Sequence, residues 1–204
     1  MVKKKKVTEK KSIAIVGEGL TEREYFDSLR IYEKYRFTIK PSLPENTDIK
    51  NMAQTALTLL NKGFDYVYCL IDMDKIESNP TEKKNYENVI NDEKYQGISW
   101  IHSYPCTEFW FLLHSLKLGE VRRYKNCDEV LKELREYMPG YDKTKKYFKG
   151  HNLYNLLKSE GSMDKAIESA KKLEKLRKKE DGIDYSEIYK VIEMIQKLKA
   201  ESEK

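Results

Sequence analysis

The stretch DYVYCLIDMD occupies residues 65–74 and decides the fold class. Residues 65–71 are dominated by aliphatic, aromatic and β-branched side chains, which predicts a buried strand. Two acidic residues, Asp72 and Asp74, follow this strand directly. The elements on either side of the strand then determine the architecture.

Strands and helices alternate around this stretch. Upstream, we predict a strand at 12–17, a helix capped by Thr21 and Glu24, a weak strand at 36–40, a loop at 41–46 and a helix at 48–62 that ends at Gly63. Downstream, we predict a short helix at 81–91, a strand at 97–104 and a helix opened by Pro105. This alternation predicts an α/β fold with a parallel four-stranded sheet and helices on both faces.

The strand signal ends after Leu118, and the remainder of the chain is predicted to be helical. Apolar residues recur at helical spacing at 127–137, 151–157, 162–178 and 184–198. We therefore divide the chain into a basic, disordered tail at 1–11, an α/β core at 12–118 and a helical C-terminal portion at 119–204.

The net charge of +5 on the 204 residues does not by itself indicate a nucleic-acid-binding protein. Six lysines and one glutamate within residues 1–11 account for all of it, so the rest of the chain is neutral. Nucleic-acid binding by the folded part would require local charge separation.

The apolar runs are too short for a membrane span or a signal peptide. The three cysteines form no CxxC pair, which predicts neither a disulfide framework nor a zinc site. A cytoplasmic protein in a reducing compartment is expected.

Acidic residues follow two of the predicted strands. Glu18 follows the first strand, and Asp72 and Asp74 follow the third. Residues two apart in an extended chain point the same way, so Asp72 and Asp74 could share a divalent cation. Glu18 would join them if these strands are neighbours, forming a site for Mg²⁺ or Mn²⁺ suited to phosphoryl transfer. The structural alternative is that these residues are turn formers and helix caps, and pairing with lysines would count against a metal site.

Several motifs resemble those of the RloB-like family. They are Glu18-Gly19, Thr21-Glu22 and Tyr25-Phe26, the strand ending at Asp72-Met73-Asp74, the run PCTEFWFLLH at 105–114, and Tyr141 with Lys143. The resemblance implies a TOPRIM-like, Rossmann-like sheet and a Mg²⁺-dependent nuclease. It also implies a role in bacterial abortive infection or restriction, beside an ABC-type or OLD-type ATPase. The implied metal ligands are Glu18, Asp72 and Asp74, and the catalytic set adds Glu22 and Glu108.

Two further groups carry both structural and functional interpretations. Glu108 begins a helix that should open at the same sheet edge, whereas His114 lies nearly two turns further along and is expected to pack or contact a partner. In the segment 141–158, the lysines Lys143, Lys145 and Lys146 are expected to contact phosphates. Its aromatic residues are expected to belong to the core rather than to stack on bases.

Three functions remain open at this point. The first is a metal-dependent nuclease that cleaves DNA, RNA or tRNA. The second is a non-enzymatic adaptor that binds nucleic acid or an ATPase, with the apolar stripe of residues 184–198 as its docking face. The third is a phosphatase or nucleotidyl transferase. Assembly into a homo-oligomer is compatible with each of them.

Overall fold

The computed structural model of the chain describes residues 11–35, 37–117, 119, 121 and 123–203. Most of the predicted basic tail, Arg36 at the start of the expected second strand, and Leu118 lie outside the described residues. No helix in the described ranges has the length and apolar character needed to cross a membrane.

A five-stranded sheet forms the centre of the molecule. Its strands are β1 (Ser12–Val16), β2 (Thr38–Ser42), β3 (Tyr66–Asp72), β4 (Ile98–Tyr104) and β5 (Tyr185–Ser186), in the order β2-β1-β3-β4-β5. The first four strands pair in parallel, and β5 pairs antiparallel with β4. The α/β class and the parallel strands are therefore confirmed, but the expected four-stranded sheet is wrong by one strand. With only two residues, β5 is too short to produce an alternating sequence pattern.

Ten α-helices and one 3₁₀ turn (Glu93–Tyr95) are present among the described residues. The helices are α1 (Leu20–Glu33), α2 (Ile49–Asn61), α3 (Met73–Ser78), α4 (Pro80–Ile90), α5 (Glu108–Ser115), α6 (Cys127–Tyr137), α7 (Lys145–Gly150), α8 (Leu153–Glu160), α9 (Met163–Arg177) and α10 (Ile188–Ser202). The predicted bounds of α6 are correct, whereas α3 and α7 were not expected as separate helices. Pro105 precedes α5 instead of opening it.

Helices cover both faces of the sheet, as predicted. Ile13 and Ile15 of β1 point to a core shared with α1, α5, α6 and the C-terminal helices α8 to α10. Ala14 and Val16 point to the opposite face, where they pack with residues of α2, α3 and α4. This alternation follows from the two-residue period of a strand. The C-terminal helices therefore share one continuous core with the sheet.

The two edge strands are short or interrupted. β2 contains Pro41, which has no backbone N–H to donate to a neighbouring strand. We predicted that Pro41 begins a loop. In the structure it lies in β2, opposite Ile15 of β1 in the parallel register. At the other edge, β5 covers only Ser103 and Tyr104 of β4.

The shared core predicts that a cavity in α10 destabilises the whole chain. Ile192 is 2% exposed, so Ile192→Ala should lower the free energy of unfolding by about 2–5 kcal/mol. Leu176→Ala, at a position that is 37% exposed, should change it by less than about 1 kcal/mol. Chemical denaturation followed by circular dichroism and by tryptophan fluorescence measures both values. Separate transitions for the two probes would contradict a single core.

Candidate functional site

Acidic side chains from four segments meet at the carboxyl edge of the sheet. Glu18 follows β1, Asp72 is the last residue of β3, and Asp74 lies in the first turn of α3. Glu108 begins α5, the helix that follows β4. Because β1, β3 and β4 are adjacent and parallel, their carboxyl ends open at one edge. The first and third strands are neighbours, which was the condition for Glu18 to join Asp72 and Asp74.

Glu22 joins this edge from the first turn of α1. Its Oε2 accepts a hydrogen bond from the backbone N–H of Gly19 at 3.0 Å, which caps the helix. The expected capping pair of Thr21 and Glu24 is wrong, because the N-cap of α1 is Gly19, two residues earlier, and Glu24 pairs with Arg23.

Gly17 allows Glu22 to approach the end of β1. A Cβ atom on Gly17 would lie 2.5 Å from the Cβ of Glu22, which is closer than two non-bonded carbon atoms can approach. The glycine is therefore required by packing.

Thr107 connects two of the acids, and sequence reasoning missed it. Its backbone N–H donates to Asp72 Oδ1 at 2.8 Å, and its hydroxyl oxygen lies 3.1 Å from the same atom. The hydroxyl also lies 3.2 Å from Glu22 Oε1. A threonine hydroxyl has one proton, so it donates to only one of these carboxyl groups at a time. The position of Thr107 directly before Glu108 in the 105–114 motif was the available signal.

Glu18 is held between the backbone and a lysine. Its Oε1 accepts from the backbone N–H of Asp72 at 2.9 Å, and its Oε2 lies 3.1 Å from Lys75 Nζ. The Lys75 side chain is 66% exposed, so solvent screens this ion pair and the lysine can leave at little cost.

The side chains of Asp72 and Asp74 do not point in the same direction, as they would in an extended chain. The chain enters α3 at Met73, and Asp74 turns toward α6, where its Oδ2 accepts from the backbone N–H of Cys127 at 3.2 Å. Its Oδ1 is buried without a hydrogen-bond partner. Among the described residues, no set of carboxylate oxygens from Glu18, Asp72 and Asp74 lies within 4.8 Å of one another. The three acids share one edge but do not form a closed ligand set.

Glu108 is completely buried and has two strong partners. Its Oε1 accepts from the Tyr141 hydroxyl at 3.1 Å, and its Oε2 lies 2.9 Å from Lys143 Nζ. We expected Lys143 to contact a phosphate, but in the structure it is paired with an acid of the site. Lys145 and Lys146 are exposed in the first turn of α7.

The aromatic residues of 141–158 are largely core residues. Tyr141, Phe148 and Tyr154 are buried, and the ring of Tyr147 stacks on His151. His114 is also buried, with its ring edge-to-face against Trp110 and both ring nitrogens unpartnered. It packs away from the acids, as its distance along α5 predicted.

Burial and the charges of neighbouring acids raise the pKa of Glu18, Glu22 and Asp72. Burial, followed by the negative charges of Glu108 and Glu18, raises the pKa of Glu22 to about 7. Burial, Glu22 and Glu18 raise the pKa of Asp72 well above its ordinary value. Burial also raises the pKa of Glu18, although Lys75 opposes the shift. A site of this kind retains protons at neutral pH or replaces them with a cation.

The donor set suits a hard divalent cation. Carboxylate oxygens are the ligands that Mg²⁺ and Mn²⁺ prefer, and Asp74 Oδ1 is a buried oxygen that lacks a partner. The candidate ligands are Glu18, Asp72 and Asp74, with Glu22 beside them.

A disulfide bond lies next to the acids, contrary to the expectation of none. Cys106 and Cys127 are bonded across 21 residues, with their Cα atoms 5.6 Å apart. Their sulfurs lie close to a carboxylate oxygen of Glu108, but in a disulfide they carry no thiolate that could bind a metal ion. A separation of this length gives no sequence signal, because the pairing depends on how α6 packs on the loop before α5. Cys69 is buried and free.

The family model described as RloB-like protein matches residues 13–195. The chain belongs to the RloB-like family. The match covers the sheet except Ser12 and all the acids of the site, so the resemblance to this family is confirmed. No curated protein and no solved structure matches this RloB-like chain significantly.

The tight contact at Gly17 predicts a specific destabilisation. Gly17→Ala should displace Glu22 and lower the free energy of unfolding by about 1–3 kcal/mol, as for other overpacked sites. Gly150→Ala is the matched control, because a Cβ there meets no atom within 4 Å. Urea denaturation of both variants measures the difference. If the two variants are equally stable, the contact between residue 17 and Glu22 is relaxed in solution.

Glu22 predicts a pH dependence of definite sign in metal-free protein. Its pKa is about 7 in the folded chain against an ordinary value of 4.5, so its protonated form stabilises the fold fully below pH 4.5. This contribution is lost as the pH rises through about 7. Between about pH 5 and 8, wild type should therefore lose more unfolding free energy than Glu22→Gln. Urea titrations in a chelating buffer measure both slopes, and parallel curves would contradict the raised pKa.

Proposed function

We propose that the chain is a Mg²⁺- or Mn²⁺-dependent nuclease of TOPRIM-like type that cleaves phosphodiester bonds in DNA or RNA, tRNA included. The observation that carries the proposal is the concentration of acidic groups at one sheet edge. Glu22, Asp72 and Glu108 are buried there together, although isolated buried carboxylates are strongly unfavourable. A protein keeps such an arrangement most readily where a cation or a reaction requires it.

The cation would be held by Glu18, Asp72 and Asp74. When bound, a divalent metal polarises the phosphate and stabilises the leaving oxygen. Lys75 opposes this placement while it pairs with Glu18, but its exposure makes it displaceable. The family membership is compatible with the same ligand set, since these residues lie within the matched range 13–195.

The other residues at this edge have two roles: they orient the acids and they transfer protons. Thr107 fixes the orientation of Asp72 through two contacts to one carboxylate oxygen. Glu22, whose pKa is about 7, is suited to accept the proton of an attacking water near neutral pH. Burial lowers the pKa of Lys143, but Glu108, Asp72 and Glu22 together raise it further, so the lysine keeps its positive charge beside Glu108. The exposed Lys145 and Lys146 are suited to contact flanking phosphates.

The biological setting belongs to the same proposal. We infer a cytoplasmic effector of bacterial abortive infection that acts with an ABC-type or OLD-type ATPase, and the support is family membership. A non-enzymatic adaptor is a weaker candidate, because the apolar stripe of α10 is buried in the chain's own core. The residues of that stripe are Ile188, Ile192, Ile195 and Leu198.

Substitution of Asp72 tests the activity. Asp72→Asn removes one charge and should lower Mn²⁺-dependent cleavage at least about 100-fold, because one oxygen ligand of the metal loses its charge. Cleavage is measured on plasmid DNA, single-stranded RNA and tRNA, each with the metal and with a chelator. The mutant should fold at least as well as wild type, since repulsion with Glu22 and Glu18 is relieved.

Asp65→Asn is the matched control at the opposite end of the same strand. Asp65 precedes β3 and pairs with Lys11, far from the acidic edge. Its substitution should leave cleavage unchanged. Equal activity of wild type and Asp72→Asn on every substrate, or cleavage that persists in chelator, would contradict a metal-dependent nuclease at this edge.

A further inference from the structure

The Cys106–Cys127 disulfide connects two backbone segments that hold acids of the site. Cys106 precedes Thr107, whose N–H and hydroxyl contact Asp72. Cys127 is the first residue of α6, and its own N–H donates to Asp74. The bond therefore links the two backbone segments that contact Asp72 and Asp74.

We propose that Cys106 and Cys127 form a thiol–disulfide exchange site that reacts with low-molecular-weight disulfides and thiols of the glutathione class. The Cα separation of 5.6 Å lies within the usual range for a disulfide, so the bond can form without backbone movement. The exchange is a property of this cysteine pair and does not depend on the proposed nuclease activity.

The two sulfurs differ in access. Cys106 is fully buried, whereas Cys127 is only partly buried at the start of α6. An external thiol or disulfide therefore reaches Cys127 first. This assigns Cys127 as the attacking residue and Cys106 as the resolving residue.

The charges around Cys127 favour negative charge on its sulfur. Lys143 Nζ lies 3.4 Å from Cys127 Sγ, where it stabilises a thiolate that attacks or leaves. Glu108 Oε2 lies 3.5 Å from the same sulfur and opposes this effect, but Lys143 also neutralises that carboxylate at 2.9 Å. The amide of Cys127 faces Asp74 and is already hydrogen-bonded.

Oxidation of the pair proceeds in two balanced exchanges. The Cys127 thiolate attacks a disulfide RS–SR, forms a Cys127–SR bond and releases one thiolate RS⁻. Cys106 then loses its proton to solvent and attacks Cys127 Sγ, which forms the Cys106–Cys127 bond and releases the second RS⁻. The small disulfide is reduced to two thiols while the two cysteines are oxidised, and an excess of thiol reverses both steps.

The test uses the full chain in oxidised and reduced glutathione. After incubation, the protein is denatured in acid, its thiols are alkylated, and the intact mass is measured. Wild type has three cysteines, so it should carry three alkyl groups after reduction and one, on Cys69, after oxidation. Oxidised Cys106→Ser should retain one glutathione per chain on Cys127.

Oxidised Cys127→Ser is the matched control and should remain free of glutathione, because Cys106 is buried. Three alkyl groups on oxidised wild type would overturn the proposal, and this result does not depend on whether any variant folds. Zinc that copurifies in equal amount with reduced wild type and is lost in Cys106→Ser would also overturn it, because the cysteines would then be metal ligands. Circular dichroism verifies that each variant is folded before its mass is interpreted.

Discussion

The repulsion among buried carboxylates at the carboxyl edge of the sheet governs the arrangement around it. Glu22, Asp72 and Glu108 are each removed from water, and the charges of Glu22 and Glu108 add to the cost of ionising Asp72. Charges of one sign are tolerated in an interior only where donors or counter-charges surround them. Several residues around these acids, among them Thr107, Tyr141 and Lys143, are donors or counter-charges of this kind.

Glu18 and Glu108 have their own partners, whereas Asp72 and Glu22 share the hydroxyl of Thr107. Asp72 depends on Thr107, Glu108 on Tyr141 and Lys143, and Glu18 on a backbone amide and Lys75, so the loops after three strands are tied to one another. Because several of these donors lie in the segment 107–143, residues beyond the parallel sheet complete its functional edge.

Much of the fold could be predicted from the sequence, because it is recorded in local patterns. The apolar runs that became β1, β3 and β4 and the helical stripes of α2, α6, α9 and α10 mark their own positions. The acids were also located, since they follow strands directly. What could not be predicted depends on contacts between distant segments. The turn of Asp74 into α3, the bridge made by Thr107, the pairing of Lys143 with Glu108 and the Cys106–Cys127 bond all lack a periodic signal.

The interrupted edges of the sheet bear on how this chain behaves in the presence of other chains. An exposed, regular edge strand offers a row of free amides and carbonyls on which a second molecule can add a strand and begin to aggregate. Pro41 removes one donor from β2, and β5 presents only two residues at the opposite end. Growth of the sheet from chain to chain is therefore disfavoured beside β2, whereas residues 98–101 of β4 lie beyond the cover of β5. Intermolecular β-pairing of this molecule should consequently begin at β4 rather than at the edge that carries Pro41.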